Sequence, residues 1–558
     1  MLRNLGLEDM KEQILGFEKD VLSKKFFSIP LIIIVILGYG FSMFNRTIGV
    51  DDFLRDHYVG SGRIALSGRW GGVVWVKLLG CQDFTPFVDR FVAVLMLMVA
   101  AILFCFLLYS ISKSKSIIPY TVAACFFVSY PLINEIWEYC GANFFVTGGL
   151  ALSTLTLLVL RNNQHNIKWL AISGLLLLLP ISSYESAIFY YMTIACVIVF
   201  YDNLQCEKYI KVKYLINDFV YYVIPIIIAF FCRIIVSFII CTLLDIDRVG
   251  GGATHIFWFS NPLMTIIKSM VGVNILKYVI NALVYFPITI FTIVLVIFCA
   301  FFVVTSIKQK KGSVFIMGVL VIVSLFSQAI LQAGELPYRT AQTIIPFVAF
   351  VFYILTVKVS NMKKKLRFSC YAFLLGLCWH QASYLNRVLG LNNLRSDNES
   401  YIIRSVGERI TRDFDKKPVV FVSSYYVGPW IEKSLQVDTA SFNGKIYSKI
   451  VSSLFSEEFT NMQKQKYIET NVNCATSQYP QLKMIFAYYG YNIDVVGPVE
   501  RPHTPEYAHK DTRLLKEAMR KAKEIGMRPF EIYDNGEYLI VNLSDKVDYS
   551  AWADIKNL

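Results

Sequence analysis

Asp51 and Asp52 open a polar run, NRTIGVDDFLRDHYVGSGRIALSGRWGG, that also holds Arg55, His57, Arg63, Arg69 and Trp70. These residue types together suit chemistry on a sugar phosphate. A carboxylate can take a proton from an attacking hydroxyl. An arginine can hold a phosphate through two parallel hydrogen bonds. A tryptophan can lie against a sugar ring or a lipid headgroup. A blander reading stands beside this one: Asp51 could simply cap a short helix over Asp52–Tyr58.

Further candidates are scattered along the chain. Glu135 and Glu138 flank Trp137, and Glu185 follows Tyr184 in a tight turn. Glu335 and Arg339 sit in GELPYRT, and the stretch 242–280 holds Asp245, Asp247, Arg248, His255, Trp258 and Lys268. Each could equally be an interface anchor or a solvated turn; Trp258 and Lys268 read better as anchors. Arg339 is harder to dismiss, because it opens an apolar run and needs an anionic partner there. Arg233 lies inside another such run, where it should pair with a carboxylate or snorkel.

The elements that position these residues follow from composition. The 558 residues are 55% hydrophobic and only 17% charged, with a net charge of +13 and a mean hydropathy of +0.50. Such a chain is not disordered, not a secreted disulfide scaffold and not an ordinary soluble enzyme. A bilayer core about 30 Å thick takes roughly 20 apolar residues per helix. Eleven runs come near that, at 27–44, 90–110, 117–133, 141–160, 169–181, 186–201, 217–241, 281–306, 313–333, 341–357 and 368–386. Lysine and arginine cluster in alternate connections: at Lys24 and Lys25, Lys113 and Lys115, Arg161 and Lys168, Lys208 to Lys213, Lys308 to Lys311, and Lys363 to Arg367. The short turns between them, 134–140 and 182–185, carry neither. By the positive-inside rule the N-terminus is cytoplasmic and everything after 386 is outside. All the candidates for chemistry except Arg233 then fall on the outer side.

Residues 1–26 show no cleavable signal and read as an amphipathic interfacial helix, with Leu7, Met10, Ile14, Phe17 and Val21 at helical spacing. Residues 27–386 form the transmembrane catalytic domain with the outward loop 45–89. Residues 387–558 read as an extracytoplasmic α/β domain. There PVVFVSSYY (418–426) is a strand, Asp511–Ile525 an amphipathic helix and FEIYDNGEYLIVNL (530–543) a hairpin turning at Asp534-Asn535-Gly536. This tail is close to neutral, so the basic excess belongs to the membrane part and nucleic acid is not expected as a partner. The twelve cysteines form no spaced pairs, which gives neither a disulfide framework nor a zinc site. Gly60-x-Gly62-x-x-Ala65 lacks the βαβ context of a dinucleotide turn. Carboxylates such as these can take a divalent metal, but no ligand spacing indicates one, and no cofactor is expected.

The order of these features resembles the bacterial O-antigen-modifying glucosyltransferases of the Gtr type II family, polytopic glycosyltransferases of the GT-C class. The resemblance runs through Asp51-Asp52, Gly68-Arg69-Trp70, Tyr184-Glu185, Pro337-x-Arg339 and the closing YDNGEYLIVNL. Relatives often show Tyr-Gln where this chain has Tyr184-Glu185, so no definite role passes to Glu185. The resemblance implies a GT-C-like fold of about eleven transmembrane helices in the bacterial inner membrane, with the tail in the periplasm. It implies glucose on undecaprenyl phosphate as donor and a lipid-linked O-antigen or similar polysaccharide as acceptor.

On this reading Asp51 or Asp52 is the base, with Glu135 or Glu138 orienting sugar hydroxyls or substituting for it. Arg339, with Arg69, Arg63, Arg55 and Arg248, binds the donor phosphate. Trp70, His57, Tyr184, Glu185, Trp137 and His255 contact sugar or acceptor. Two alternatives remain: a lipid-linked sugar flippase, and a polysaccharide ligase or polymerase that uses a diphosphate-linked donor.

Overall fold

Within the described residues the eleven apolar runs fall on helices, the run 313–333 on two of them, in a computed structural model, which describes residues 7–45, 68–80, 86–112, 114, 116–137, 140–163, 166–206, 212–243, 262–267, 286–333, 340–414, 416–423, 482–497 and 509–543. Helices are what the sequence must form there, because lipid offers the backbone no hydrogen-bond partner. In chain order they are α1 (Leu7–Phe17), α2 (Lys25–Phe44), α3 (Trp70–Leu78), α4 (Pro86–Ile111), α5 (Ile118–Ser129), α6 (Asn134–Trp137), α7 (Cys140–Asn162), α8 (Ile167–Ser183), α9 (Ala187–Gln205) and α10 (Val212–Leu243). Then follow α11 (Leu263–Ile267), α12 (Phe286–Gln309), α13 (Gly312–Leu325), α14 (Ser327–Gln332), α15 (Ile344–Ser360) and α16 (Lys364–Asp413). Six of them are long and apolar enough to cross a membrane, those of α2, α4, α7, α9, α10 and α12. The shorter apolar helices α5, α8, α13 and α15 and the first part of α16 pack with them.

Burial separates the centre of this bundle from its rim. The apolar stretches of α7 and α9 are 83% and 72% buried, whereas that of α10 is only 17% buried. On α10, Ile227, Phe231, Ile235 and Phe238 stand exposed at helical spacing. In water such a stripe would be a large unpartnered apolar face; in a bilayer it meets lipid tails. The short helices α5 and α15 lie inside: Phe126 stacks on Phe352 with ring centroids 3.6 Å apart. Between α5 and α16, Ser129 Oγ donates to Gln381 Oε1 at 3.0 Å, both side chains buried.

Polar ties gather the lysine-bearing end. Arg161 at the close of α7 forms an ion pair with Asp202 of α9, with Nη2 to Oδ1 at 3.0 Å. Lys311 donates to the Cys206 carbonyl, and Tyr221 Oη to the Asn163 carbonyl at 3.1 Å. The N-terminal helix docks at this end too. Phe17 packs on Phe106 and Tyr109 of α4, and the Tyr109 hydroxyl donates to Asp20 at 3.0 Å. The amphipathic face expected at an interface is in fact partly spent on protein packing, with Phe17 and Val21 buried.

The boundary expected at 386 falls within a helix. The fifty residues of α16 run unbroken from Lys364 to Asp413, about 75 Å at 1.5 Å per residue. Its first part joins the bundle core through Leu374, Cys378, Ala382 and Leu385. Its last part joins a second core through Ile403, Val406 and Ile410. The change in hydropathy near 386 marks a change of surroundings, while the helical periodicity continues past it.

The second core lies under a five-stranded sheet in the order β3-β2-β1-β5-β4. It is built from β1 (Val419–Phe421), α17 (Leu482–Tyr488), β2 (Val495–Gly497), β3 (His509–Lys510), α18 (Thr512–Ile525), β4 (Ile532–Asp534) and β5 (Leu539–Val541). β1 pairs in parallel with β2 and β5, and β4 with β5 is the expected antiparallel hairpin. Gly536 takes the positive φ of +90° in its turn. Asp511 caps α18 by accepting from the Leu514 N–H at 2.9 Å.

The Arg161–Asp202 pair is largely withdrawn from solvent, with side-chain exposures of 10% and 23%. Asp202→Ala leaves the guanidinium uncompensated and is expected to lower stability by about 3–5 kcal/mol. Thermal or denaturant unfolding of the detergent-solubilised protein measures this. A loss below about 1 kcal/mol would mean that solvent screens the pair.

Candidate functional site

At the opposite end of the bundle the chain re-enters the described structure at Gly68, whose φ of +78° suits a residue without Cβ. α3 then starts at Trp70 and lies against the end of α8. The contact is close because residue 71 is glycine: a Cβ there would sit 2.7 Å from Ser183 Oγ and 2.8 Å from the Leu179 carbonyl. This approach brings Arg69 to the turn between α8 and α9. There Arg69 Nε and Nη2 each lie 3.1 Å from Glu185 Oε2. The same guanidinium lies over the Tyr184 ring, 5.1 Å from its centroid.

A second guanidinium reaches the same carboxylate. Arg233 of α10 donates from Nη2 to Glu185 Oε1 at 2.7 Å and from Nε to the Gly68 carbonyl at 3.1 Å. α10 continues ten residues beyond Arg233, about 15 Å of helix, so the cluster is recessed from the tip of α10. Arg233 was expected to find a carboxylate or snorkel; it finds Glu185. Burial favours the neutral form of Glu185, but Arg69 and Arg233 outweigh it and hold the carboxyl below its ordinary value of 4.5. Among the described residues, two guanidiniums on one carboxylate leave a surplus of one positive charge. Such a cluster suits an anion rather than a proton transfer.

Arg90 was hidden at the start of an apolar run. It is 1% exposed and donates from Nη1 to the Ser42 carbonyl at 2.6 Å and to the Asn45 carbonyl. It thereby fixes the end of α2, just before the acidic pair. The only sequence signal was an arginine opening a span.

The remaining site residues divide as follows. Asp51, Asp52, Arg55, His57, Arg63, Glu138, Arg248, His255 and Arg339 lie outside the described residues, as does the side chain of Glu135. Trp70 is half-buried, and among the described residues its indole nitrogen has no hydrogen-bond partner. Trp137 is 1% exposed and packs on Tyr39, with ring centroids 4.6 Å apart. Its position is that of a packing residue, not of an open platform for a sugar. Of the candidates, Arg69, Tyr184 and Glu185 are brought together. No group of three potential metal ligands occurs among the described residues. A cavity of about 260 Å³, lined by Tyr201, Gln205, Thr305, Gln309 and Lys358 among others, lies at the lysine-bearing end, away from Arg69.

The family model described as "Glucosyl transferase GtrII" matches residues 40–377, from the end of α2 into α16. The chain belongs to the GtrII glucosyl transferase family. It is therefore a membrane glycosyltransferase. The GtrII match includes Asp51, Asp52, Arg69, Glu185, Arg233 and Arg339 and ends before the α/β tail. No curated protein matches the chain. Among solved structures, the crystal structure of ArnT from Cupriavidus metallidurans bound to undecaprenyl phosphate aligns over 88% of this chain and 90% of that chain, at 9% identity and a TM-score of 0.44.

Two predictions follow from the cluster's geometry. Gly71→Ala must push α3 off α8, and is expected to cost about 1–3 kcal/mol and to reduce glycosyl transfer as Arg69 loses Glu185. Unchanged stability and activity would show that α3 moves freely. The second concerns pH. Since the folded-state pKa of Glu185 lies below 4.5, its ionised form stabilises the fold above that pH. The contribution is lost as pH falls through the folded value. Melting temperatures of the native protein and Glu185→Gln, followed from neutral pH to about pH 3, should therefore converge in acid. A gap that does not change with pH would contradict the ion-paired state.

Proposed function

We propose that this GtrII transferase moves glucose from undecaprenyl phosphate to a lipid-linked O-antigen or similar surface polysaccharide, at the periplasmic face of the bacterial inner membrane, within a GT-C-like architecture. The observation that carries the donor assignment is the surplus positive charge of Arg69, Glu185 and Arg233, counted among the described residues, at the bundle end whose loop holds Asp51-Asp52. A sugar joined to a lipid through one phosphate carries a single negative charge; a diphosphate linkage carries two. A lipid-linked donor also explains why the transferase is a membrane protein, since the carrier's tail stays in the bilayer while its phosphosugar reaches the outer surface.

The reaction is an inverting displacement at the anomeric carbon. Asp51 or Asp52 takes the proton from the acceptor hydroxyl, whose oxygen attacks as the bond to the phosphate oxygen breaks. Negative charge grows on the departing polyprenyl phosphate, and Arg339 with Arg69 or Arg63 stabilises it there. Glu135 or Glu138 orients sugar hydroxyls. The α/β tail helps hold the polysaccharide acceptor.

The test is sugar transfer by the purified protein from a monophosphate-linked and a diphosphate-linked donor. Transfer from the first alone is expected. Consumption of the second instead supports a ligase or polymerase, and movement of the donor across the bilayer without consumption supports a flippase. Asp51→Asn or Asp52→Asn, whichever removes the base, is expected to lower kcat by about 100-fold or more. Full activity in both variants, normally expressed, would sink the base assignment.

A further inference from the structure

We infer that Glu185 is a positioning residue, which locks Arg69 and Arg233 into one rigid donor array for the phosphate of the donor; this rests on the proposed lipid-phosphate donor. Sequence alone suggested a sugar or acceptor contact for Glu185, but its carboxylate is already engaged. Oε1 accepts from Arg233 Nη2 at 2.7 Å, and Oε2 from Arg69 Nε at 3.1 Å. A carboxylate held in this way, with its pKa depressed, is poorly placed to accept a proton from a sugar hydroxyl.

The two arginines hold each other's surroundings through it. Arg233 grips the Gly68 carbonyl, one residue before Arg69. A Cβ on Gly68 would lie 3.1 Å from Arg233 Nη2, so the loop passes directly over that guanidinium. Arg69 is fixed on one edge by Glu185 and on one face by Tyr184. Among the described residues nothing engages Nη1 of either guanidinium, and the Arg69 side chain remains 39% exposed. An arginine has five donors in a planar fork. With two of them spent on Glu185, the fork keeps a fixed orientation, and the free edge meets an incoming oxyanion at little further entropic cost. Arg233, which lay outside the predicted phosphate site, becomes part of it.

The experiment uses the full chain in detergent or nanodiscs, with a polyprenyl phosphate as binding probe and donor and acceptor kinetics measured separately. Glu185→Ala is expected to raise the donor KM and the probe Kd by about tenfold or more, with the acceptor KM unchanged within about twofold. Glu185→Asp, which keeps the carboxylate, should recover part of the loss. Arg69→Ala combined with Glu185→Ala should lose clearly less than the product of the two single losses, because part of what Glu185 does is done through Arg69 and the rest through Arg233. If Glu185→Ala does not fold, the nearly isosteric Glu185→Gln serves, with the same direction of change in probe binding. An altered acceptor KM, multiplying losses in the double variant, or equal probe binding by native protein and Glu185→Gln each overturns the inference. Native protein that binds the probe through Glu185 but transfers no sugar from a monophosphate donor overturns the proposed function and leaves the positioning role standing.

Discussion

A guanidinium well inside an apolar helix has to be neutralised, and much of the arrangement at the loop end of the bundle follows from that need. Arg233 sits in the lipid-exposed helix α10, where an unpaired charge is expensive. Its partner, Glu185, comes from the turn between α8 and α9. For the carboxylate to lie at that depth, α8 must stop where it does and α9 must begin at once. Tyr184 and Glu185 therefore cannot be a long, mobile loop. The same carboxylate then fixes Arg69, which in turn requires α3 to lie against α8 with only a glycine between them. One ion cluster thus ties α3, α8, α9 and α10 together.

A single carboxylate between two guanidiniums is an economical way to keep a positive site stable without a ligand. Two bare arginines would repel each other in a poorly solvated setting. Two carboxylates would cancel the charge and leave nothing for an anion. With one, the described part of the site keeps a unit of positive charge and a fixed geometry, as preorganised electrostatic stabilisation requires. Arg90 does similar work on the neighbouring side. Its Nη1 donates to the Ser42 and Asn45 carbonyls and so fixes the end of α2.

Much of this fold was legible in the sequence because the bilayer imposes so few solutions. Runs such as 217–241 and 341–357 can only be helices in lipid, and helices are what they form. The tail's hairpin was equally plain, since Asp534-Asn535-Gly536 between alternating apolar residues admits little else. The pairing inside the site was not legible. Glu185 and Arg233 are 48 residues apart, and nothing local links them; the sequence said only that Arg233 should pair with a carboxylate or snorkel. Trp137 was expected to contact sugar or acceptor, whereas it packs on Tyr39, about a hundred residues earlier. The length of α16 escaped a hydropathy reading for a different reason. Hydropathy records what surrounds a helix, and this helix passes from one surrounding to another without stopping.

The position of Arg233 also bears on how a lipid-linked donor could be handled. Its side chain is 12% exposed, while Ile227, Phe231, Ile235 and Phe238 of the same helix stand open to the surroundings. One face of α10 therefore belongs to the lipid and the other to the charge cluster. A donor with a long apolar tail and a single phosphate has the same division. On the proposed reading its tail remains among the lipids beside α10, and only the phosphate has to pass between helices to reach Arg69 and Arg233. A soluble nucleotide sugar would gain nothing from that arrangement, because it has no apolar part to leave behind.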